Sequence, residues 1–209
     1  MGFSVLLDIL GSIVIGGFLF LTLIRLNDTA VKNNHLYGSE LIVQQNLIEV
    51  VDLLEHDLKK IGYCADWKKI PDPSKSILSA GHHRISFLTD IEGDGQLDTL
   101  MYFWWGLDIL EKWGINIDLI PETQNPNDRI LYRTVNGERP EGSNLGVTQF
   151  DFTFFDAFGN TLDFPITSPA QINSMQINLT VENIYAYDNE YASAFWRQIR
   201  LAARNLNNR

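Results

Sequence analysis

VLLDILGSIVIGGFLFLTLI, residues 5–24, is an apolar run broken by no charged residue except Asp8 and by no hydroxyl except Ser12 and Thr22. A helix needs about 20 such residues to cross the hydrocarbon of a bilayer, so the run reads as one membrane-spanning segment. Nothing stops the helix where the run ends, since residues 27–61 contain no proline and a single glycine, Gly38. Within that stretch Leu47, Val50, Leu54, Leu58 and Ile61 recur at helical spacing and form an apolar stripe that needs a partner surface. Lys59 and Lys60 stand where cations favour the carbonyl end of a helix, and Gly62 is the expected residue just past it. The spacing therefore predicts one helix from about residue 4 to residue 61, roughly 85 Å long at 1.5 Å per residue.

Three segments follow from this reading: 1–26 as the membrane half of the helix, 27–62 as its amphipathic half, and 63–209 as a globular head. The chain has 209 residues, so the head is large enough for a real core. In the first 35 residues Asp8 and Asp28 cancel Arg25 and Lys32, so the net charge of -10 belongs to the remainder. An acidic head argues against nucleic acid as a partner. Cys64 is the single cysteine, which excludes an internal disulfide. A cleaved secretory signal would show a basic start, a shorter apolar centre and a small-residue cleavage site, and this run is expected to stay on the chain. Arg25 and Lys32 are too nearly balanced by acids to set an orientation by the positive-inside rule.

Beyond Gly62 the period changes to alternation, and the head reads as mainly antiparallel β. Ile85 and Phe87 share one face of 84–88, whereas 100–105 is apolar on both faces, as for a central strand. A short helix is expected within 108–120, a strand over 129–135 ending at the Asn136-Gly137 turn, and a loop over 140–144. Phe150, Phe152 and Phe154 oppose Asp151 and Thr153, before a turn at Phe158-Gly159-Asn160. Met175, Ile177, Leu179 and Val181 oppose Gln176, Asn178, Thr180 and Glu182, and the last strand is placed at 194–202. A sheet with one apolar face needs a cover, and the amphipathic half of the helix is the available one, which makes the fold class α+β.

Candidate chemistry is sparse. Asp90-Ile91-Glu92-Gly93-Asp94-Gly95-Gln96-Leu97-Asp98 has the spacing of the first nine positions of an EF-hand calcium loop. Side-chain oxygens fall at Asp90, Glu92, Asp94 and Asp98, a backbone carbonyl at Gln96 and the turn glycine at Gly95. Met101 stands where the loop's bidentate glutamate belongs. The alternative is an acidic hairpin turn that uses Gly93 and Gly95. His82-His83 could ligate a metal, but adjacent strand residues point apart, and His56 beside Asp57 reads as the solvated edge of the helix. Trp104, Trp105, Trp113 and Trp196 suit either a core or a ligand groove. No nucleophile elbow, phosphate loop or zinc spacing occurs, so an enzyme is not expected. Asp8 within the apolar run costs roughly 2.5–3.5 kcal/mol near the bilayer centre unless it finds a partner or lies at the solvated interface. Gly11, Ser12, Gly16 and Gly17 are small enough to let another helix approach closely.

Taken together, Gly2-Phe3-Ser4 followed by an apolar helix with one acid near its start resembles the prepilin N-terminal signature of type IV pilins and type II secretion pseudopilins. Leu53-Leu54-Glu55-His56-Asp57-Leu58-Lys59-Lys60-Ile61-Gly62-Tyr63 is similar to the helix end of the J-type pseudopilins and W-type minor pilins. In that group it tends to read Asp-Leu-Arg-x-Ala-Gly-Tyr. Leu131-Tyr132-Arg133, then Gly146-Val147-Thr148 with Phe150 and Phe152, and the closing Arg204-Asn205-Leu206 are also similar to phrases there. The resemblance implies a pilin-like fold and a structural minor subunit of a type II secretion pseudopilus or type IV pilus, at or near the filament tip. It implies cleavage by a prepilin peptidase between Gly2 and Phe3, methylation of Phe3, and pairing of Asp8 with a neighbour's N-terminal amine. Other pilin or pseudopilin subunits would be the partners, with Gly11, Gly16 and Gly17 at or near the helix contacts. The place would be the bacterial inner membrane, single-pass, with the head in the periplasm or on an extracellular filament. Asp8 falls one position later than the acid of the family pattern, which would lie at Leu7. A membrane-anchored, calcium-dependent extracytoplasmic binding module is the alternative.

Overall fold

The computed structural model describes residues 2–105, 111, 113–115, 123–186 and 190–201. The helix α1 is continuous over Gly2–Lys59, 58 residues, or about 87 Å. Its last turn tightens as Lys60 and Ile61 donate to the carbonyls of Asp57 and Leu58 at 3.1 and 3.3 Å. Gly62 then takes the left-handed conformation, φ 71°, and donates to the Leu88 carbonyl at 2.9 Å. That turn is the one the helix-end residues predict, because only glycine takes positive φ there without strain.

Seven strands follow among the described residues: β1 Ile77–Gly81, β2 Arg84–Thr89, β3 Asp98–Trp104, β4 Arg129–Val135, β5 Glu141–Phe155, β6 Ser174–Glu182 and β7 Ser193–Leu201. They pair in chain order, every neighbour antiparallel. Alternation gives the sheet one apolar face, and α1 covers it. Val43, Val50, Leu54 and Leu58 of the helix join Ile85, Phe87, Leu100, Tyr102, Phe150, Phe152 and Phe154 of β5 and the apolar row of β6 in a single core. Phe103 and Tyr132 stack with ring centroids 5.1 Å apart in a smaller cluster, which accounts for apolar residues on both faces of β3. The architecture is α+β and pilin-like in layout: a long N-terminal helix laid on an antiparallel sheet.

Two sequence readings are corrected. Glu141–Asn144 is not a loop but the start of β5, where Leu131, Tyr132 and Arg133 pair with Ser143, Gly142 and Glu141. A Cβ on Gly142 would lie 2.4 Å from Ile130 Cγ2, so neighbouring side chains occupy the space that a larger residue would need. The short strand β1 was not anticipated, because Ile77–Gly81 carries one buried apolar residue at its start and owes its order to pairing with β2. The short helix expected at 108–120 lies outside the described residues except for 111 and 113–115, and 204–206 lies outside them as well.

β5 is long because it serves two partners, pairing with β4 up to Val147 and with β6 from Val147 onward. Its second half is also met by the β1–β2 turn, where the Phe152 N–H donates to the His82 carbonyl at 2.8 Å. Gly146 sits at the change of partner with φ 75°, and a Cβ there would lie 2.1 Å from the Glu182 carbonyl oxygen. Gly146→Ala therefore combines a left-handed penalty with a backbone clash. Denaturation of the full chain in detergent should show a loss greater than about 1–2 kcal/mol; an unchanged midpoint would contradict this register.

Candidate functional site

The residues expected to act in assembly all lie on the free half of α1. Every described residue from 2 to 35 is exposed, including Gly2, Phe3, Asp8, Gly11, Gly16 and Gly17. A Cβ built on Gly2, Gly11, Gly16 or Gly17 meets nothing within 4 Å. No contact within the chain asks for glycine at these places, so an approaching second helix is what their smallness would serve. The glycines do not interrupt the helix, and the Ser12 hydroxyl donates to the Asp8 carbonyl at 2.8 Å. Ser4, Lys32 and His35 each have an interaction within the chain. The helix is long and apolar enough to cross a membrane once.

At the other end of α1 lies a buried charge cluster that the sequence reading missed. Asp57 is 2% exposed, and its Oδ2 accepts from the Tyr102 hydroxyl at 2.6 Å and from Arg133 Nε at 2.8 Å. His56 Nδ1 lies 3.2 Å from Oδ1 with its own side chain mostly exposed. Burial alone would raise the Asp57 carboxyl, but the bonds from Arg133 and Tyr102 outweigh it and hold the carboxyl below its ordinary value. Burial, then the facing carboxylate, pushes the Tyr102 hydroxyl far up, so it stays a donor. Burial lowers Arg133, yet the bond to Asp57 reverses this and keeps it charged. The signal was present in the sequence, since Asp57 falls three residues after Leu54 and four before Ile61, on the stripe that faces the sheet.

The 90–98 segment is built as a turn. Asp90 is 0% exposed; its Oδ1 accepts from the Gly93 and Asp94 N–H groups at 2.6 and 3.2 Å, and its Oδ2 from Gly95 and Ala65 at 2.9 and 3.0 Å. Four donors occupy the lone pairs that a cation would need. Asp98 accepts from Ile91 N–H and from Asn136 Nδ2 at 3.1 and 2.8 Å, and Asp94 accepts from Gln96. Among the described residues no three His, Cys, Asp or Glu side chains gather to hold a metal. Asp90, Glu92, Asp94, Gln96 and Asp98 thus do not fit calcium as arranged. The arrangement is that of the acidic turn, the other reading of this segment: the loop's two glycines at φ 77° and 78° curl its backbone amides onto Asp90. The Ala65 bond and the other backbone bonds hold the Asp90 carboxyl below its ordinary value.

His82 and His83 do not act together. The His82 ring lies on Phe164 at 3.8 Å between centroids, while His83 Nδ1 donates to the Phe150 carbonyl at 2.9 Å and lies 3.0 Å from Asp151 Oδ1. Trp104 and Trp196 pack against the main core, and Trp105 is 39% exposed.

Two outcomes test this description. Asp57→Asn leaves the half-buried Arg133 without its counter-charge and should cost about 3 kcal/mol at neutral pH. Because the folded Asp57 value is depressed, its contribution is complete above the ordinary carboxyl range and is lost as pH falls through the folded value. The gap between wild type and Asp57→Asn, measured by denaturation at a series of pH values, should therefore stay constant near neutrality and narrow below about pH 4. Calcium should leave the melting temperature of the full chain unchanged, whereas Asp90→Asn should lower it with or without the ion. A calcium-dependent rise abolished by Asp94→Ala would reinstate an ion site.

No family model, curated protein or solved structure matches this chain.

Proposed function

We propose that this chain is a structural minor subunit of a type II secretion pseudopilus or type IV pilus, without catalytic activity, that assembles through α1 at or near the filament tip. The observation that carries the reading is an excess of exposed apolar surface on α1 beyond what a bilayer can cover. A membrane takes about 20 residues of the helix, yet Val31, Tyr37, Leu41, Ile42, Ile48 and Leu53 remain 47–68% exposed further along it. Val43 and Val50 of the same stretch are buried in the core shared with the sheet. A helix that is apolar on the sides left over from its own sheet is one that a bundle buries. Other anchored subunits of the same design would supply that bundle, as the family resemblance implies. Their helices would approach at Gly11, Gly16 and Gly17, with Asp8 paired to a neighbour's amine. Before assembly the chain would lie in the inner membrane of a bacterium, its head outside the cytoplasm, after a prepilin peptidase had exposed and methylated Phe3.

Cysteine placed at Ile48 should cross-link to other anchored subunits in native membranes, because Cys64 is buried and gives little background. The same exchange at Val50, which packs under the head, should not. Intact mass of the membrane-derived protein should show N-methylated Phe3. Equal labelling at both positions with no partner captured, and a Phe3 that is never N-terminal, would refute the reading.

A further inference from the structure

On the head, two open clefts meet at the end of β3. Trp104 and Trp105 line both: one cleft of about 600 Å³ shared with Asn127, Arg129, Gln149 and Glu182, and one of about 450 Å³ shared with His83 and Arg84. Three features show that this surface is held in place. Trp105 has φ 46°, a conformation that costs a bulky residue free energy and persists only when its surroundings impose it. The Arg129 guanidinium lies 4.6 Å from the Trp105 ring centroid, and its Nη1 donates to the carbonyls of Pro126 and Asp128 at 2.8 and 2.6 Å. The polar wall is oriented from behind. Gln149 is bonded at both ends of its amide, accepting from Thr180 at 2.9 Å and donating to Asp151 at 2.6 Å. Glu182 accepts at 2.8 Å from Asn125, itself 2% exposed.

The chemistry selects the ligand class. An aromatic ring presented at a rim attracts the C–H edges of another group through its negative face. In the larger cleft stand amides, hydroxyls, one carboxylate and one guanidinium, a set that both donates and accepts. The two clefts are open and share both tryptophans, which suits an extended chain better than a single enclosed molecule. We infer that the Trp104–Trp105 pair and its two clefts bind a saccharide chain, with one pyranose ring against Trp105 and its hydroxyls shared among Asn127, Gln149 and Glu182. This would be a binding activity of the head, independent of whether α1 assembles into a filament.

The test uses the full chain in phosphatidylcholine nanodiscs, titrated with cellohexaose, chitohexaose and maltohexaose by calorimetry and tryptophan fluorescence. At least one of the three should bind. Trp105→Gly should weaken that binding about tenfold or more, yet melt no lower than wild type, because glycine relieves the positive φ. Gln149→Ala should weaken it as well. No binding by any of the three, undiminished binding by Trp105→Gly, or loss of binding together with a lowered melting temperature would overturn the proposal, the last by making Trp105 a structural residue. None of these outcomes depends on cross-linking through α1.

Discussion

The joint between α1 and the sheet decides everything else in this molecule, and its centre is one buried carboxylate. Asp57 ties the helix to β3 through Tyr102 and to β4 through Arg133. An isolated charge at that depth would be prohibitively costly, so the three residues stand or fall as a unit. Apolar packing of Val43, Val50, Leu54 and Leu58 supplies the driving force for docking, but apolar contact is non-directional and tolerates sliding along a helix. The two hydrogen bonds to Asp57 fix the register. Gly62, turning the chain from the helix end onto the Leu88 carbonyl, fixes the exit one turn later.

With the helix set in that register, its remaining surface acquires meaning. Residues 2–35 extend clear of the head and are exposed throughout. Further along, the sheet covers one side only and leaves large apolar side chains on the others. A bilayer accounts for the first part of this surface but not for the second, which lies on the portion of the rod already committed to the head. Glycines whose missing side chains would collide with nothing point the same way. Among the described residues the sheet's apolar face is covered while the helix keeps exposed apolar sides, and that asymmetry is the physical basis for the proposal of an assembly subunit.

The head shows how much backbone hydrogen bonding can do where a charged loop first suggests an ion. Asp90 accepts four amides and thereby links the helix exit at Ala65 to the β2–β3 turn. The carboxylate serves the role that a cation-bound loop would otherwise need metal to fill. Asp156 organises the 156–160 turn in a similar way, accepting from the Phe158 and Asn160 amides at 2.8 Å. Elsewhere β5 changes partner at Gly146, so that its second half faces both β6 and the β1–β2 turn.

Much of the architecture was legible in the chain alone, for reasons that lie in periodicity. The unbroken apolar run, the stripe through Leu54 and Leu58 and the stop at Gly62 determine a single long helix, and the alternation at Phe150–Phe154 and Met175–Val181 determines one-faced strands. Local pattern suffices there because helix and strand each repeat at a fixed interval. The 141–144 segment and β1 were not legible, since a glycine-bearing stretch and a short one ending in Ala80-Gly81 become strands only by pairing with the adjoining strand of a hairpin. Nor did the order of residues reveal which carboxylate was structural: Asp57 stood unremarked beside a solvated His56, and Asp90 suited either an ion ligand or a turn. Burial and donor geometry decide that, and both are properties of the folded sheet. The sequence by itself determined the rod and the class of the head; tertiary structure alone decided where the rod docks, what its buried charge meets and which of its faces stays exposed.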